Sequence, residues 1–142
     1  MLISTKGRYA LRVMVDLTEH NTDAYVPLKD IAERQGISQK YLESIMAVLS
    51  KAGFVDAHHG KGGGYRLNRA PDEYTVGSVL KLTEGTLAPV ACLENEQNKC
   101  GRAANCRTLP MWTELDNLIN NYLENITVKD LAKNISTGDY II

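Results

Sequence analysis

The segment PLKDIAERQGISQKYLESIMAVLSKAGF, residues 27 to 54, leaves few choices of fold. Leu28, Ile31 and Ala32 fall on one face of a short helix. Gly36 follows Ala32 by four residues and can take the positive φ of a tight turn. Ser38 can cap a second helix with Tyr41, Leu42, Ile45, Met46 and Leu49 on its apolar face, and Gly53 stops it. The small Ala32 lets the two helices cross closely. Helices joined in this way make a helix-turn-helix. The second helix turns Ser38, Gln39, Lys40, Glu43, Ser44 and Ala47 outward, a short, polar, mixed surface suited to reading base edges. By spacing alone, an ordinary helical hairpin with a solvated face fits equally well.

The next segment favours the DNA reader. FVDAHHGKGGGYRL predicts two short strands, around 54–57 and 65–68, joined by a glycine-rich loop. A β-hairpin directly after such a helix is the wing of a winged helix. Its tip offers His58, His59, Lys61 and the backbone amides of Gly62 and Gly63 to phosphate or the minor groove, with Arg66 and Arg69 flanking it. GKGGGYR lacks the G-x-x-x-x-G-K-[ST] pattern and opens no helix, which argues against a nucleotide loop. The candidate DNA contacts are therefore Ser38, Gln39, Lys40, Tyr41, Glu43, Ser44, His58, His59, Lys61, Gly62 and Gly63.

Around this unit, residues 5–20 predict a helix with Tyr9, Val13, Met14 and Leu17 on one face and Ser4 or Thr5 as cap. Residues 20–27 read as a polar loop. After a turn at Ala70-Pro71-Asp72, residues 75–83 predict a short helix, with Val76, Val79, Leu80 and Leu82 apolar. PMWTELDNLINNYLENI then predicts a helix of about 16 residues, roughly 24 Å long, opening on Pro110. Trp112, Leu115, Ile119, Tyr122 and Ile126 form a seam widened by Met111, Leu118 and Leu123, fit to pack on the chain's own core and on a second copy. Thr127 with Asp130 makes a capping box for a last helix at 128–134. The fold class expected is mainly α with a small β-hairpin. Residues 1–84 form a winged helix-turn-helix domain, 85–109 a cysteine-containing sensor loop, and 110–142 a dimerisation helix and C-terminal arm.

All three cysteines lie in CLENEQNKCGRAANC, residues 92 to 106. A chain of 142 residues can bury roughly 68–70% of its extended surface and needs no covalent or metal staple. Lys6, Arg8, Arg12 and Asp16 interrupt any secretory apolar core at the N-terminus, and no run of about 18 apolar residues offers a membrane span. A cytoplasmic protein is expected, where clustered cysteines favour metal or redox roles. The spacing C-x7-C-x5-C admits an iron–sulfur cluster, a zinc ion or a regulatory disulfide with one thiol left over. Lys99, Arg102 and Arg107 nearby favour thiolate and offset cluster charge. The net charge of −1 hides an asymmetry: ten Lys/Arg against seven Asp/Glu up to residue 70, then six against ten. Polyanion binding thus belongs to the first half.

Taken together, MLISTKGRYALRVMVDL, VPLKDIAERQGISQKYLESI, the GKGGGYRL wing and the cysteine loop running into a Trp-containing helix resemble the IscR-like family of bacterial winged-helix transcription regulators. The likeness runs from residue 1 to about 133. It implies a homodimer on double-stranded operator DNA, with the helix from Ser38 to Leu49 as reader and Glu43 among its contacts. It also implies Cys92, Cys100 and Cys106 as ligands of an iron–sulfur cluster, 2Fe–2S or 4Fe–4S. The chain departs from the family pattern in three respects: the first gap is x7 rather than x5, Leu109 stands where a fourth-ligand histidine can occur, and Arg8 stands where an acidic ligand can occur. By proximity, Glu94, Glu96 and Asn98 are the alternative fourth ligands. The alternatives in function are a cluster-free regulator using cysteine oxidation, zinc or a protein partner, and a small iron–sulfur electron carrier. An electron carrier has no use for a recognition helix or a wing. No catalytic Cys–His, Ser–His–Asp or paired-carboxylate arrangement is legible, so an enzyme is not expected.

Overall fold

The structure, a computed structural model, describes residues 2–20, 23–95 and 100–137, with side chains described as far as residue 132. Helix α1 (Thr5–Glu19) starts where the Ser4 hydroxyl accepts the Gly7 N–H, and it forms the axis of the fold. Its Ala10, Val13, Met14 and Leu17 are fully buried, in step with the helical repeat. Helix α2 (Leu28–Gln35) ends at Gly36, whose φ of 64° turns the chain toward α3 (Gln39–Lys51). The Ser38 hydroxyl caps α3 by accepting the Tyr41 N–H at 3.1 Å. Ile31 from α2 and Leu42, Ile45, Met46 and Leu49 from α3 close on α1, so the helix-turn-helix is present with the register read from sequence.

Strands β1 (Val55–His58) and β2 (Gly64–Leu67) pair antiparallel, from Val55↔Leu67 to His58↔Gly64. Each strand is displaced by one residue from expectation. The Phe54 N–H is still tied to the Leu49 carbonyl at the exit of α3, and the Asn68 N–H turns aside to the Tyr74 hydroxyl. The expected polar loop supplies a third rung: Val26 and Tyr65 exchange backbone hydrogen bonds of 2.8 and 2.9 Å. A β-carbon on Gly64, at φ 150°, would stand 2.1 Å from the Val26 carbonyl oxygen, so only glycine admits this approach.

Tyr74 pins the base of the wing. It is fully buried, its hydroxyl donates to the Phe54 carbonyl at 2.8 Å, and burial raises its pKa above the ordinary 10.0. Helices α4 (Val76–Glu84), α5 (Leu109–Glu124) and α6 (Val128–Thr137) complete the chain. The Thr127–Asp130 capping box forms reciprocally, at 3.0 and 3.1 Å. Although it follows α5 in sequence, α6 sends Val128 and Ala132 into the core beside α1. No described helix is long and apolar enough to cross a membrane.

One charge sits inside this core. Asp16 is 1% exposed and accepts from Arg34 at 2.7 and 3.0 Å and from the Gln35 amide at 2.8 Å. The Asp16 hydrogen bond raises the Arg34 pKa above its ordinary value. Arg12 of α1 in turn donates to the side chain and carbonyl of Gln35. The end of α2, and with it the turn at Gly36, is thereby locked to α1.

Candidate nucleic-acid interface

The capped first turn of α3 and the wing lie on the same side of the molecule. Between them runs an open groove of about 490 Å³, bordered by Gln39 and Glu43 from α3, His58 and His59 from the wing, and Lys29 from α2. Residues expected from two separate segments thus share one concave surface. Ser38, Gln39, Lys40, Glu43 and Ser44 are all exposed, as is the tip at His58, His59, Lys61 and Gly62.

Two assignments need correction. Tyr41, placed by periodicity on the buried face of α3, is 36% exposed and meets Tyr9 of α1 edge-on, with ring centroids 5.8 Å apart. It sits at the rim of the interface rather than in the core. Gly63 does not offer a free amide, because its N–H donates to the Gly60 carbonyl at 3.0 Å and closes the wing turn. Arg66 and Arg69 flank the wing and also buttress it. Arg66 lies over the Tyr25 ring at 4.4 Å and donates to the Asp23 carbonyl, while Arg69 lies over Phe54 at 4.9 Å and donates to the Gly53 carbonyl.

Sequence reasoning missed Tyr25 and Lys29. Tyr25 stacks on His58 at 5.2 Å and, with Arg66 on the same ring, fixes the direction of the wing. An aromatic in the polar 20–27 loop was the available signal. Lys29 falls in the first turn of α2, where Pro27 starts the helix and turns that lysine into the groove.

The cysteine segment is less gathered. Cys92 sits in a 3-10 turn at Ala91–Leu93, Cys100 is exposed, and Cys106 precedes α5. The Cys106 sulfur lies 3.4 Å from the Thr108 hydroxyl, which together with the amides of Thr108 and Leu109 lowers its pKa. Among the described residues, no three His, Cys, Asp or Glu side chains stand close enough to share a metal ion. Among the described residues, Cys106 stands beside Thr108 near the start of α5, and Cys92 lies in its own 3-10 turn. The donor types do fit an iron–sulfur cluster, being three cysteines, half-buried or exposed, on a segment outside the long helices. Of the alternative fourth ligands, Glu94 is exposed, and Glu96 and Asn98 lie outside the described residues, as does Lys99. His20 is engaged at the end of α1, 2.9 Å from the Asp16 carbonyl.

Helix α5 divides the expected seam into two faces. Trp112, Ile119 and Leu123 are half-buried, with Leu123 and Ile126 packed on the small cluster of Val76, Leu80 and Leu87. Met111, Leu115, Leu118 and Tyr122, spaced by four, three and four residues, are 52%, 37%, 60% and 68% exposed.

Residues 3–134 match the family described as Rrf2, an iron-dependent transcriptional regulator. The chain is 40% identical over 131 residues to the HTH-type transcriptional regulator IscR of Aliivibrio salmonicida (strain LFI1238), covering 92% of this chain and 77% of that one. Among solved structures it is similar to T. potens IscR, with a TM-score of 0.77 and 35% identity over 100% of this chain and 93% of the other. It is also similar to CymR, the global cysteine regulator of B. subtilis, with a TM-score of 0.76 and 34% identity over 94% and 97% of the two chains.

Proposed function

Because the chain belongs to the Rrf2 family of transcriptional regulators, we propose that it binds its operator as a homodimer and that an iron–sulfur cluster on the loop of Cys92, Cys100 and Cys106 sets its affinity. The observation that carries the DNA-binding half is the shared groove, which puts Gln39 and Glu43 beside His58 and His59. Each subunit lays α3 in a major groove and its wing against the flanking backbone, with half-sites about one helical turn, roughly 34 Å, apart. Lys40, Lys61 and Lys29 neutralise phosphates, so affinity falls with salt. Glu43 accepts from cytosine and repels phosphate, and therefore contributes discrimination more than affinity. The exposed stripe on α5 is the surface on which the second copy packs.

The cluster, when bound, supplies an iron-dependent and oxidant-labile group held by the three thiolates. Cys106 stands beside Thr108, next to the start of α5, so a cluster held there would be coupled to the first turn of that helix. The test begins with protein purified without oxygen. Iron and sulfide in near-equal amounts, lost in Cys92→Ala, together with an altered operator affinity, support the reading. Equal affinity of loaded and metal-free protein for operators selected from a random duplex pool sinks it. Glu43→Ala is expected to flatten the ranking of those operators without abolishing binding.

A second reading has its own observation. The lowered pKa of Cys106 favours a thiolate, the reactive form in an oxidation switch. Metal-free anaerobic protein whose DNA affinity changes with peroxide, and not in Cys106→Ser, selects this reading over the cluster.

A further inference from the structure

The last turn of α5 is fastened to the first turn of α4 by an arrangement that no part of the DNA groove or the cysteine loop requires. Glu124, the final residue of α5, lays its carboxylate across the start of α4. One oxygen accepts from the Thr75 hydroxyl at 2.9 Å, and the same hydroxyl caps α4 by accepting the Ser78 N–H at 3.0 Å. The other oxygen meets the Lys81 ammonium at 3.3 Å. The carboxylate occupies the space a side chain on Gly77 would need, since a β-carbon there would stand 2.3 Å from Glu124 Oε1 and 2.9 Å from its Cδ. Just beyond, the Val76 N–H donates to the Ile126 carbonyl at 2.8 Å and the Val128 N–H to the Tyr74 carbonyl at 2.9 Å.

These contacts add little stability. Glu124 and Lys81 are 41% and 46% exposed, and an ion pair that open to water is worth at most about 1 kcal/mol. Their value is geometric: a cap, a gap and a cation fix one carboxylate from three directions. The rest of α5 carries no fully buried residue, and among the described elements α4 is the one that holds it closely. The helix is therefore a lever anchored at its C-terminal end, with the cysteine segment at its far end. Over 16 residues, about 24 Å, a tilt of about 5° at the anchor moves that end by about 2 Å. One base pair of spacing is about 3.4 Å. A loose anchor would blur the distance between two reading heads by a comparable amount.

We propose that Glu124, seated over Gly77 and tied to Thr75, is the positioning residue that fixes the angle between the dimer helix and the reading head, and so sets the half-site spacing the dimer accepts. This rests on the regulator reading given above and concerns spacing alone.

The experiment uses operators selected by the wild-type protein from a random duplex pool, remade with one base pair inserted or deleted at the centre. Wild type is expected to lose at least about tenfold in affinity on either change, comparable to a mismatched base pair. Glu124→Ala is expected to bring the three spacings within about threefold of each other, with the dimer mass and the affinity for a single half-site unchanged. Gly77→Ala, which expels the carboxylate while keeping Glu124, is expected to do the same. Glu124→Gln, which still accepts from Thr75 and still covers Gly77, retains the wild-type rule. Wild-type discrimination persisting in both Glu124→Ala and Gly77→Ala overturns the proposal. A wild-type protein that selects no operator overturns the regulator reading instead, and the joint with it.

Discussion

Asp16 and Arg34 are partners in one ion pair, yet removing either should have very different consequences. Asp16 is 1% exposed, whereas the Arg34 side chain is 33% exposed. In Arg34→Ala the carboxylate stays in the core with the Gln35 amide and a histidine 3.7 Å away, too little to replace two guanidinium bonds. Stranding a buried charge in this way costs about 3–5 kcal/mol. In Asp16→Ala no buried charge remains, and Arg34 can turn to water. The loss is then of hydrogen bonds alone, about 2 kcal/mol. The double variant should resemble Asp16→Ala, because the stranded charge is gone. The two single costs are therefore strongly non-additive, with a coupling about as large as the whole cost of Arg34→Ala, about 3–5 kcal/mol. At about 3 °C per kcal/mol for a chain of this size, the midpoint should fall by about 6 °C for Asp16→Ala and by about 9–15 °C for Arg34→Ala. Thermal unfolding followed by circular dichroism, repeated in urea, measures all three. An Arg34→Ala variant no worse than Asp16→Ala, or a double variant showing the sum of the two, would mean that the pair is not buried in the sense argued.

Gly64→Ala should cost at least about 2 kcal/mol and weaken DNA binding while leaving helical content intact, because the added carbon meets the Val26 carbonyl and forces the wing off its third rung. Unchanged operator affinity in that variant would show that the wing's direction is unimportant. Burial raises the Tyr74 pKa above 10.0, so an unfolded chain loses this proton first. The associated stability is complete below about pH 10 and drains away as pH climbs toward the folded value, a decline that Tyr74→Phe should flatten in midpoints recorded from pH 8 to 11. Leu118→Glu places a charge in the middle of the exposed α5 stripe and should yield a folded monomer in sedimentation; a variant that keeps the wild-type mass would place the second copy elsewhere.

Much of the fold was legible because it depends on local rules that agree with one another. Ser4 and Ser38 cap where the apolar repeat begins, and Gly36 turns where the repeat breaks. What escaped was non-local. Nothing near Val26 announces a rung against Tyr65, because a single bridge has no periodicity of its own. Asp16 reads as a polar interruption of a helix, and only the fold brings Arg34, eighteen residues away, to neutralise it. The glycines of the wing suggested free backbone amides. Two of them are instead demanded by backbone packing, Gly63 against the His58 carbonyl and Gly64 against that of Val26.

The failures of periodicity also have a direction. A helical repeat says which side chains share a face, but not whether the chain's own interior reaches that face. On α3 the repeat includes Tyr41, and on α5 it includes Leu115 and Tyr122; the core closes without any of them. A single helix layer has one interior side, and α1 already occupies the inner side of both the helix-turn-helix and α4. Apolar residues left over after that closure gain nothing for the isolated chain and carry a cost in solubility. For a regulator of this family the leftovers fall at two useful places: a rim beside the groove between α3 and the wing, and a stripe along α5, which the body grips chiefly through α4. The surplus of apolar positions over available core, counted helix by helix, is thus the sequence-level signature of surfaces meant for something outside the chain.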